Sequence, residues 1–254
     1  MSAFFPRERF WRQLHFYSAL LLSLQLLAWF ASGVVMSVLP IEQVRGEHLR
    51  TTAPEADWHT ATLAPAQLLS QTEPIEQLAL TQRGTVPVYR LQRGGQQQYI
   101  DARSGVMLAP LTPHEVQQLA LARWAGDAAA ATNLQIQQLA TAPGEVRGLT
   151  GPLWQVQFAD TEHSRFYLHA ITGELLRVRT DTWRLYDFFW MLHIMDYRER
   201  SDFNHALLIA ASSSALLFVL SALPLLWLRS KRTVRSSTTS ISAAPRHPRK
   251  PASR

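Results

Sequence analysis

The sequence predicts an α+β membrane protein in which two transmembrane helices flank an extracytoplasmic domain. Three observations lead to this prediction. Two uncharged apolar runs lie near the ends of the 254-residue chain, basic residues flank both runs, and the stretch between them contains a duplicated strand–turn–strand pattern. The domain is therefore expected to consist of two related units, each a helix packed on a small antiparallel sheet.

The two apolar runs are long enough to cross a bilayer. Residues 16–39 and residues 206–228 contain no Asp, Glu, Lys or Arg. Because about 20 apolar residues in a helix span the hydrocarbon core, each run predicts one transmembrane helix. The first run continues past the small residues at 31–33 and is longer than the apolar region of a cleaved signal peptide, so we expect it to remain as an anchor.

The charges flanking the runs predict the orientation. Residues 1–15 contain three Arg and one Glu, and residues 229–254 contain eight Lys or Arg and no acid. Because Lys and Arg beside a span stay on the cytoplasmic side, both ends are expected in the cytoplasm. This predicts a two-pass protein of the bacterial inner membrane with a periplasmic central domain. The basic residues belong to the membrane flanks and contact lipid, so they do not indicate nucleic-acid binding.

The composition limits the kinds of cofactor and catalytic site that the chain can contain. The chain contains no cysteine, which excludes disulfides, thiolate metal sites and iron–sulfur clusters. It also contains no phosphate-binding loop, HExxH, GxSxG or paired-carboxylate motif, so the sequence offers no positive evidence for an enzyme. Residues 229–254 are rich in Ser, Thr, Pro and Arg and are predicted to be a disordered tail.

The central domain shows an internal repeat. After a linker at 40–62, residues 98–108 resemble residues 166–176 at an offset of 68. Each copy predicts a strand, a turn with Gly105 or Gly173, and a second strand. The predicted units are 63–110 and 111–180, with strands at 75–80, 86–91, 134–139, 154–158, 164–169 and 174–178.

Each unit opens on a predicted helix. Residues 63–69 form a short one. The second begins with Thr112 as N-cap, Pro113 at the first helical position and Glu115 three residues after the cap.

Aromatic residues are concentrated between the second unit and the second apolar run. At 181–205 the pattern predicts a helix in the membrane interface followed by a charged turn, because Trp and Tyr favour that interface. The alternative is that this helix packs under the sheet as core. The aromatic stripe at helical spacing consists of Trp183, Tyr186, Phe189, Trp190, His193 and Tyr197.

Several of these motifs resemble a known family. The repeated Y-x-(D/H)-A-x-(S/T)-G-x-x-L hairpin resembles the PepSY domain. The Arg12-Gln13-Leu14-His15-Phe16-Tyr17 start of the first run, Ser32-Gly33, and Leu192-His193…Asn204-His205 resemble the PepSY-associated transmembrane proteins. PepSY domains are similar to protease propeptide inhibitors. The resemblance therefore implies a binding or regulatory module, accessory to iron uptake or to a membrane complex, with a protease or a membrane redox protein as partner.

Three histidines at the predicted membrane edges carry an alternative: His15, His193 and His205. Larger relatives of the family bind b-type haem through membrane histidines and reduce ferric siderophores. The resemblance thus implies haem b as a cofactor, these histidines as its ligands and electron transfer as the function. The other interpretation is that the histidines cap helices among the lipid headgroups.

The spans themselves restrict which histidines share an iron. The first span is about 36 Å long, so His15 at its cytoplasmic end and His205 at the outer side are too far apart. His193 and His205 meet only if the chain turns between them. A homodimer through the transmembrane helices would bring two copies of His15 together, and Ser32-Gly33 and residues 212–214 offer small faces for such packing. His163 and His169 are expected to be surface or core residues, not metal ligands.

Overall fold

The computed structural model describes residues 8–69 and 74–241. The chain combines helices with antiparallel sheets and forms two compact units, one of Val35–Trp190 and one of the chain on either side of it. The mixed fold with two long apolar helices agrees with the prediction. The two units are described separately below.

The terminal unit is built on two long helices. Helix α1 spans Glu8–Val38 and helix α6 spans Ala206–Ile241. By length and composition, Arg9–Val38 and Ala206–Trp227 are each able to cross a membrane. Their leucines are mostly exposed, for example Leu21 at 81%. They therefore differ from the buried core helix of a water-soluble protein, which meets the same criteria of length and composition.

Helix α6 continues beyond the predicted span. The sequence predicts a disordered tail from residue 229, whereas the structure has helix as far as Ile241. An existing helix is extended at little cost, since each added residue gains a hydrogen bond without a new nucleation step. No Gly or Pro interrupts the chain between Pro224 and Ile241. The rest of the predicted tail lies outside the described residues.

The first part of the central unit contains a three-stranded sheet. Its strands pair antiparallel in chain order, and the short helix α3 precedes them. The core beneath this sheet is formed by Leu68, Tyr89, Leu91, Ile100 and Ala102. The elements are α2 (Ile41–Val44), α3 (Pro65–Leu69), β1 (Gln77–Arg83), β2 (Val86–Arg93) and β3 (Gln96–Asp101), with short 3-10 turns at Glu47–Leu49 and Trp58–Thr60.

The second part repeats this plan with four strands. Helix α4 (Pro113–Arg123) is followed by β4 (Gln135–Leu139), β5 (Leu153–Gln157), β6 (Arg165–His169) and β7 (Leu175–Arg179), paired antiparallel in chain order. Two 3-10 turns, Ala129–Ala131 and Gly144–Val146, lie in its loops.

The start of α4 has the predicted cap. The Thr112 hydroxyl accepts a hydrogen bond from the Glu115 N–H at 3.3 Å, and the Glu115 carboxylate accepts one from the Thr112 N–H at 2.8 Å. Val116 and Ala120 are fully buried against the sheet. The helix ends at Arg123 and is followed by its C-cap residue Trp124, whose ring stacks on Phe158 with centroids 3.8 Å apart.

The two hairpins have the same hydrogen bonds at an offset of 68 residues. The Asp101 N–H donates to the Val106 carbonyl at 2.9 Å, and the His169 N–H donates to the Glu174 carbonyl at 2.9 Å. Gly105 and Gly173 close the turns with φ of 77° and 70°, a region that glycine adopts without steric cost.

The approach to each helix is also duplicated. The Leu63 N–H donates to the Ala102 carbonyl, and the Leu111 N–H donates to the Ala170 carbonyl, both at 2.9 Å. The copies differ in their last strand. Met107 forms only an isolated bridge with Ile100, where the second copy has all of β7.

The predicted aromatic segment begins as helix α5, Asp181–Ile194, directly after β7. The Thr180 hydroxyl accepts a hydrogen bond from the Trp183 N–H at 3.1 Å, which satisfies one free donor of the first turn. A turn around Asp196 then connects α5 to α6.

Candidate functional sites

His15 is oriented by a serine of α6. Its Nδ1 lies 2.9 Å from the Ser221 hydroxyl oxygen, and its ring stacks on the Phe218 ring with the centroids 4.5 Å apart. The Ser221 hydroxyl donates its own hydrogen to the Phe218 carbonyl at 2.6 Å. Ser221 must therefore accept from His15, which places the imidazole proton on Nδ1 and leaves a lone pair on Nε2.

His193 has the same arrangement with a serine of α1. Its Nδ1 lies 2.9 Å from the Ser32 hydroxyl oxygen, and Ser32 donates to the Trp29 carbonyl at 3.0 Å. The Trp29 indole donates to the His193 carbonyl at 2.8 Å. His193 is thus also protonated on Nδ1, with Nε2 as its free acceptor.

His205 uses both ring nitrogens within the chain. Its Nε2 lies 2.9 Å from the Ile194 carbonyl, and its Nδ1 accepts a hydrogen bond from the Leu208 N–H at 3.3 Å. The Leu208 N–H is one of the free donors at the start of α6, so His205 is an N-terminal cap of that helix. It is the opposite tautomer to His15 and His193, and neither nitrogen is left for a ligand.

These contacts show that α1 and α6 run antiparallel and that the three histidines do not converge. His15 and Ser32, the partner of His193, are about 25 Å apart along α1. Among the described residues, no group of three or more His, Asp or Glu side chains is arranged to hold a metal ion.

The predicted charged turn is organised by one carboxylate. The Asp196 carboxylate accepts hydrogen bonds at 3.0–3.1 Å from four backbone N–H groups. These bonds hold the pKa of Asp196 far below its usual range, and the bond from the Ser201 N–H lowers it most. The donors belong to Arg198, Glu199, Ser201 and Asp202. The Asp196 carboxylate therefore fixes the backbone of the turn that connects α5 and α6.

The two histidines of the second hairpin are satisfied separately. His169 Nδ1 faces the Ile171 and Thr172 N–H groups at 3.3 and 3.2 Å, and Nε2 lies 3.2 Å from the Tyr99 hydroxyl. Burial lowers the pKa of His169, in agreement with a neutral ring. His163 lies 2.6 Å from the Asp181 carboxylate on the surface. The two rings therefore have separate hydrogen-bond partners.

A partly buried ionic cluster was not predicted from the sequence. The Glu145 carboxylate accepts hydrogen bonds from the Tyr167 hydroxyl, from Arg165 at 3.0 Å and from Arg184 at 3.1 Å. Burial alone would raise the pKa of Glu145, but the hydrogen bonds from Tyr167 and Arg165 outweigh it and lower the pKa. The cluster joins the 144–146 turn to β6 and α5, and its role is structural.

A cleft in the Val35–Trp190 unit has a volume of ≈ 390 Å³. It lies between β1, the last turns of α4 and the turn that precedes β7. Two charged side chains line it, Arg123 and Glu174, together with Thr81, Gln82, Leu119 and Gly173. The sequence gives no sign of this cleft, because its walls come from four separate segments.

No family model matches the chain, and neither the curated proteins nor the solved structures contain a match. The structure alone therefore defines a chain in which two apolar helices, able by length and composition to cross a membrane, precede and follow an α+β module with a cleft.

Proposed function

We propose that the chain is a two-pass protein of the bacterial inner membrane whose central module, built of two PepSY-like units, binds a ligand or partner protein outside the cytoplasm. The observation that carries the proposal is the duplicated hairpin, with matching hydrogen bonds around Asp101 and His169, between two apolar helices. A module of this kind regulates by binding, and its partner is a protease or a neighbouring membrane complex.

The membrane assignment is supported by the surface of the helices. Leu21 and Leu24 are 81% and 78% exposed, and Leu217 of α6 is 67% exposed. So much apolar surface is costly in water, at roughly 25 cal/mol per Å². Contacts of Trp29 and Ser32 with His193 also tie α1 to the distal end of α5, which favours a retained anchor over a cleaved signal peptide.

The orientation follows from the basic flanks. Arg12 precedes the first apolar run, and Arg229, Lys231, Arg232 and Arg235 follow the second. The positive-inside rule places both of these ends in the cytoplasm and residues 40–205 on the other side.

Protease digestion of spheroplasts tests this proposal. With an epitope tag at the C terminus, protease added to intact spheroplasts should digest the central module and leave the tag on a short, protected membrane fragment that resists alkaline carbonate extraction. Release of the intact chain by carbonate, or full protection of the module until the spheroplasts are lysed, would overturn it.

The tautomers of His15 and His193 favour a second candidate, a haem b electron-transfer component of ferric reduction. A histidine that ligates iron through Nε2 is usually fixed by a hydrogen bond from Nδ1–H, and both residues have that bond. Haem would supply one-electron chemistry when bound. His15 and His193 lie near opposite ends of α1, so one chain supplies only one axial ligand to a haem at either end. A second copy of the chain would have to provide the other ligand.

A reduced-minus-oxidised spectrum of the protein purified from haem-replete cells tests this candidate. A Soret band that is lost in His15→Ala or His193→Ala but kept in His205→Ala would support it, since both nitrogens of His205 are already engaged. A folded, colourless preparation, or equal loss in all three variants, would contradict it.

A further inference from the structure

Arg123 is a cation without a partner in the described part of the chain. It is the last residue of α4, it is half-buried, and it lines the ≈ 390 Å³ cleft. Its Nε is buried and has no hydrogen-bond partner. Other half-buried arginines of this unit are paired, such as Arg83 with Glu115 at 2.6 Å and Arg165 with Glu145 at 3.0 Å.

No acidic side chain of the described residues pairs with Arg123. Burial, and then the positive charge of Arg50, lower the pKa of Arg123. Arg50 itself is paired with Glu47 at 3.5 Å. A partly desolvated cation is costly unless it is paired, and a guanidinium matches the two oxygens of a carboxylate in geometry. The site is therefore suited to an anionic group.

A carboxylate side chain also lines the cleft. Glu174, in the turn before β7, is exposed and has no ion pair within the described residues. Arg123 and Glu174 do not pair with each other. A ligand with one negative and one positive group would complement both.

The wall formed by β1 is suited to an extended chain. Thr81 and Gln82 of this strand line the cleft, and β1 is an edge of its sheet, paired only with β2. An edge strand presents backbone N–H and C=O groups to a partner. The volume is at the lower end of small-ligand sites, which range over about 300–1,000 Å³.

We propose that this cleft binds a short zwitterionic peptide, with Arg123 holding its terminal carboxylate and Glu174 its amino group. The inference deepens the proposed binding function and rests on it. The shared chemistry of a carboxylate beside an ammonium is also found in a free amino acid, so the test separates the two sources.

The test measures the thermal unfolding midpoint of the full chain in detergent with four probes: a pooled tripeptide library with both termini free, the same library amidated at the C terminus, the same library acetylated at the N terminus, and a pool of free amino acids. A ligand that binds only the folded state raises the midpoint. The free-acid library should raise it, and the amidated library should lose most of that shift. An equal shift by the free amino acids would support the same site with an amino acid as its occupant.

Single substitutions test which side chain binds which end of the peptide. Arg123→Gln should abolish the preference for acid over amide, and Glu174→Gln should abolish the preference for a free over an acetylated N terminus. Arg177→Gln, an exposed arginine outside the cleft, is the matched control and should keep both. No shift with the wild type, or an acid preference that survives Arg123→Gln, would overturn the inference. The spheroplast experiment does not depend on the cleft, so its result separates failure here from failure of the proposed function.

Discussion

Asp101 and His169 occupy equivalent positions in the two hairpins and accept hydrogen bonds from the same two backbone positions. The Asp101 carboxylate accepts from the N–H groups of Arg103 and Ser104 at 2.7 and 3.3 Å. His169 Nδ1 accepts from those of residues 171 and 172, at 3.3 and 3.2 Å. An imidazole thus replaces a carboxylate in one copy of the turn, and it can do so only while Nδ1 is unprotonated.

Acid should therefore weaken the second hairpin through His169. Because the folded state lowers the pKa of His169 below its ordinary 6.5, the unfolded chain binds the proton more tightly. Stability is fully present above about pH 6.5 and falls as the pH drops toward the folded pKa. His169→Asn keeps a hydrogen-bond acceptor for the turn. Between about pH 7.5 and about pH 5, we expect the thermal unfolding midpoint of this variant to fall less than that of the wild type. An identical decrease in both proteins would contradict this assignment.

The two turn glycines should differ in their tolerance of a side chain. A Cβ at Gly173 would overlap a methyl of Leu119, whereas a Cβ at Gly105 would lie 3.6 Å from its nearest neighbour, a methyl of Leu63. Both have positive φ, which costs an L-residue about 1–2 kcal/mol. Gly105→Ala should lose about that much, and Gly173→Ala should lose more, because the end of the Leu119 side chain must shift to make room. Denaturant unfolding of both variants measures the difference, and equal losses would refute the close packing of Leu119.

Removing the charge of Glu145 should destabilise the central unit. Glu145→Gln leaves Arg165 and Arg184 without their carboxylate in a partly buried site, for an expected loss of about 3 kcal/mol. Glu162→Gln is the control, since its pair with His48 is exposed to solvent and contributes less than about 1 kcal/mol. Similar losses in the two variants would show that the Glu145 cluster is not a structural centre.

Nitrogen NMR of the protein in bilayers should resolve the histidine tautomers. His15 and His193 are expected to carry the proton on Nδ1, and His205 on Nε2. Ser221→Ala should mix the tautomers of His15 and leave His193 unchanged, while Ser32→Ala should do the reverse. A His15 spectrum that is insensitive to Ser221→Ala would contradict the inferred proton positions.

Local patterns predicted much of this fold. The uncharged runs indicated α1 and α6, the Thr112 and Glu115 pair indicated the start of α4, and the repeated glycine motif indicated both hairpins. The positions of Gly105 and Gly173 needed no tertiary information, because a tight turn of this kind requires positive φ wherever it occurs.

Features that depend on distant segments were not predictable. Glu145 meets Arg165 and Arg184, which lie 20 and 39 residues away and give no local signal. The roles of the three membrane-edge histidines likewise depend on which backbone group or serine each one meets. The extension of α6 beyond residue 228 was missed, since composition alone does not register the support of a preceding helix.

The most direct test of the membrane-anchored external module is labelling of single cysteines, for which the cysteine-free chain is a clean background. Gln97→Cys lies at the exposed start of β3, and Ser236→Cys lies beyond the second apolar run. In intact cells with a permeable outer membrane, a membrane-impermeant maleimide should label Gln97→Cys at once and Ser236→Cys only after lysis. Labelling of Ser236→Cys before lysis, or protection of Gln97→Cys until lysis, would contradict the proposed placement of the module.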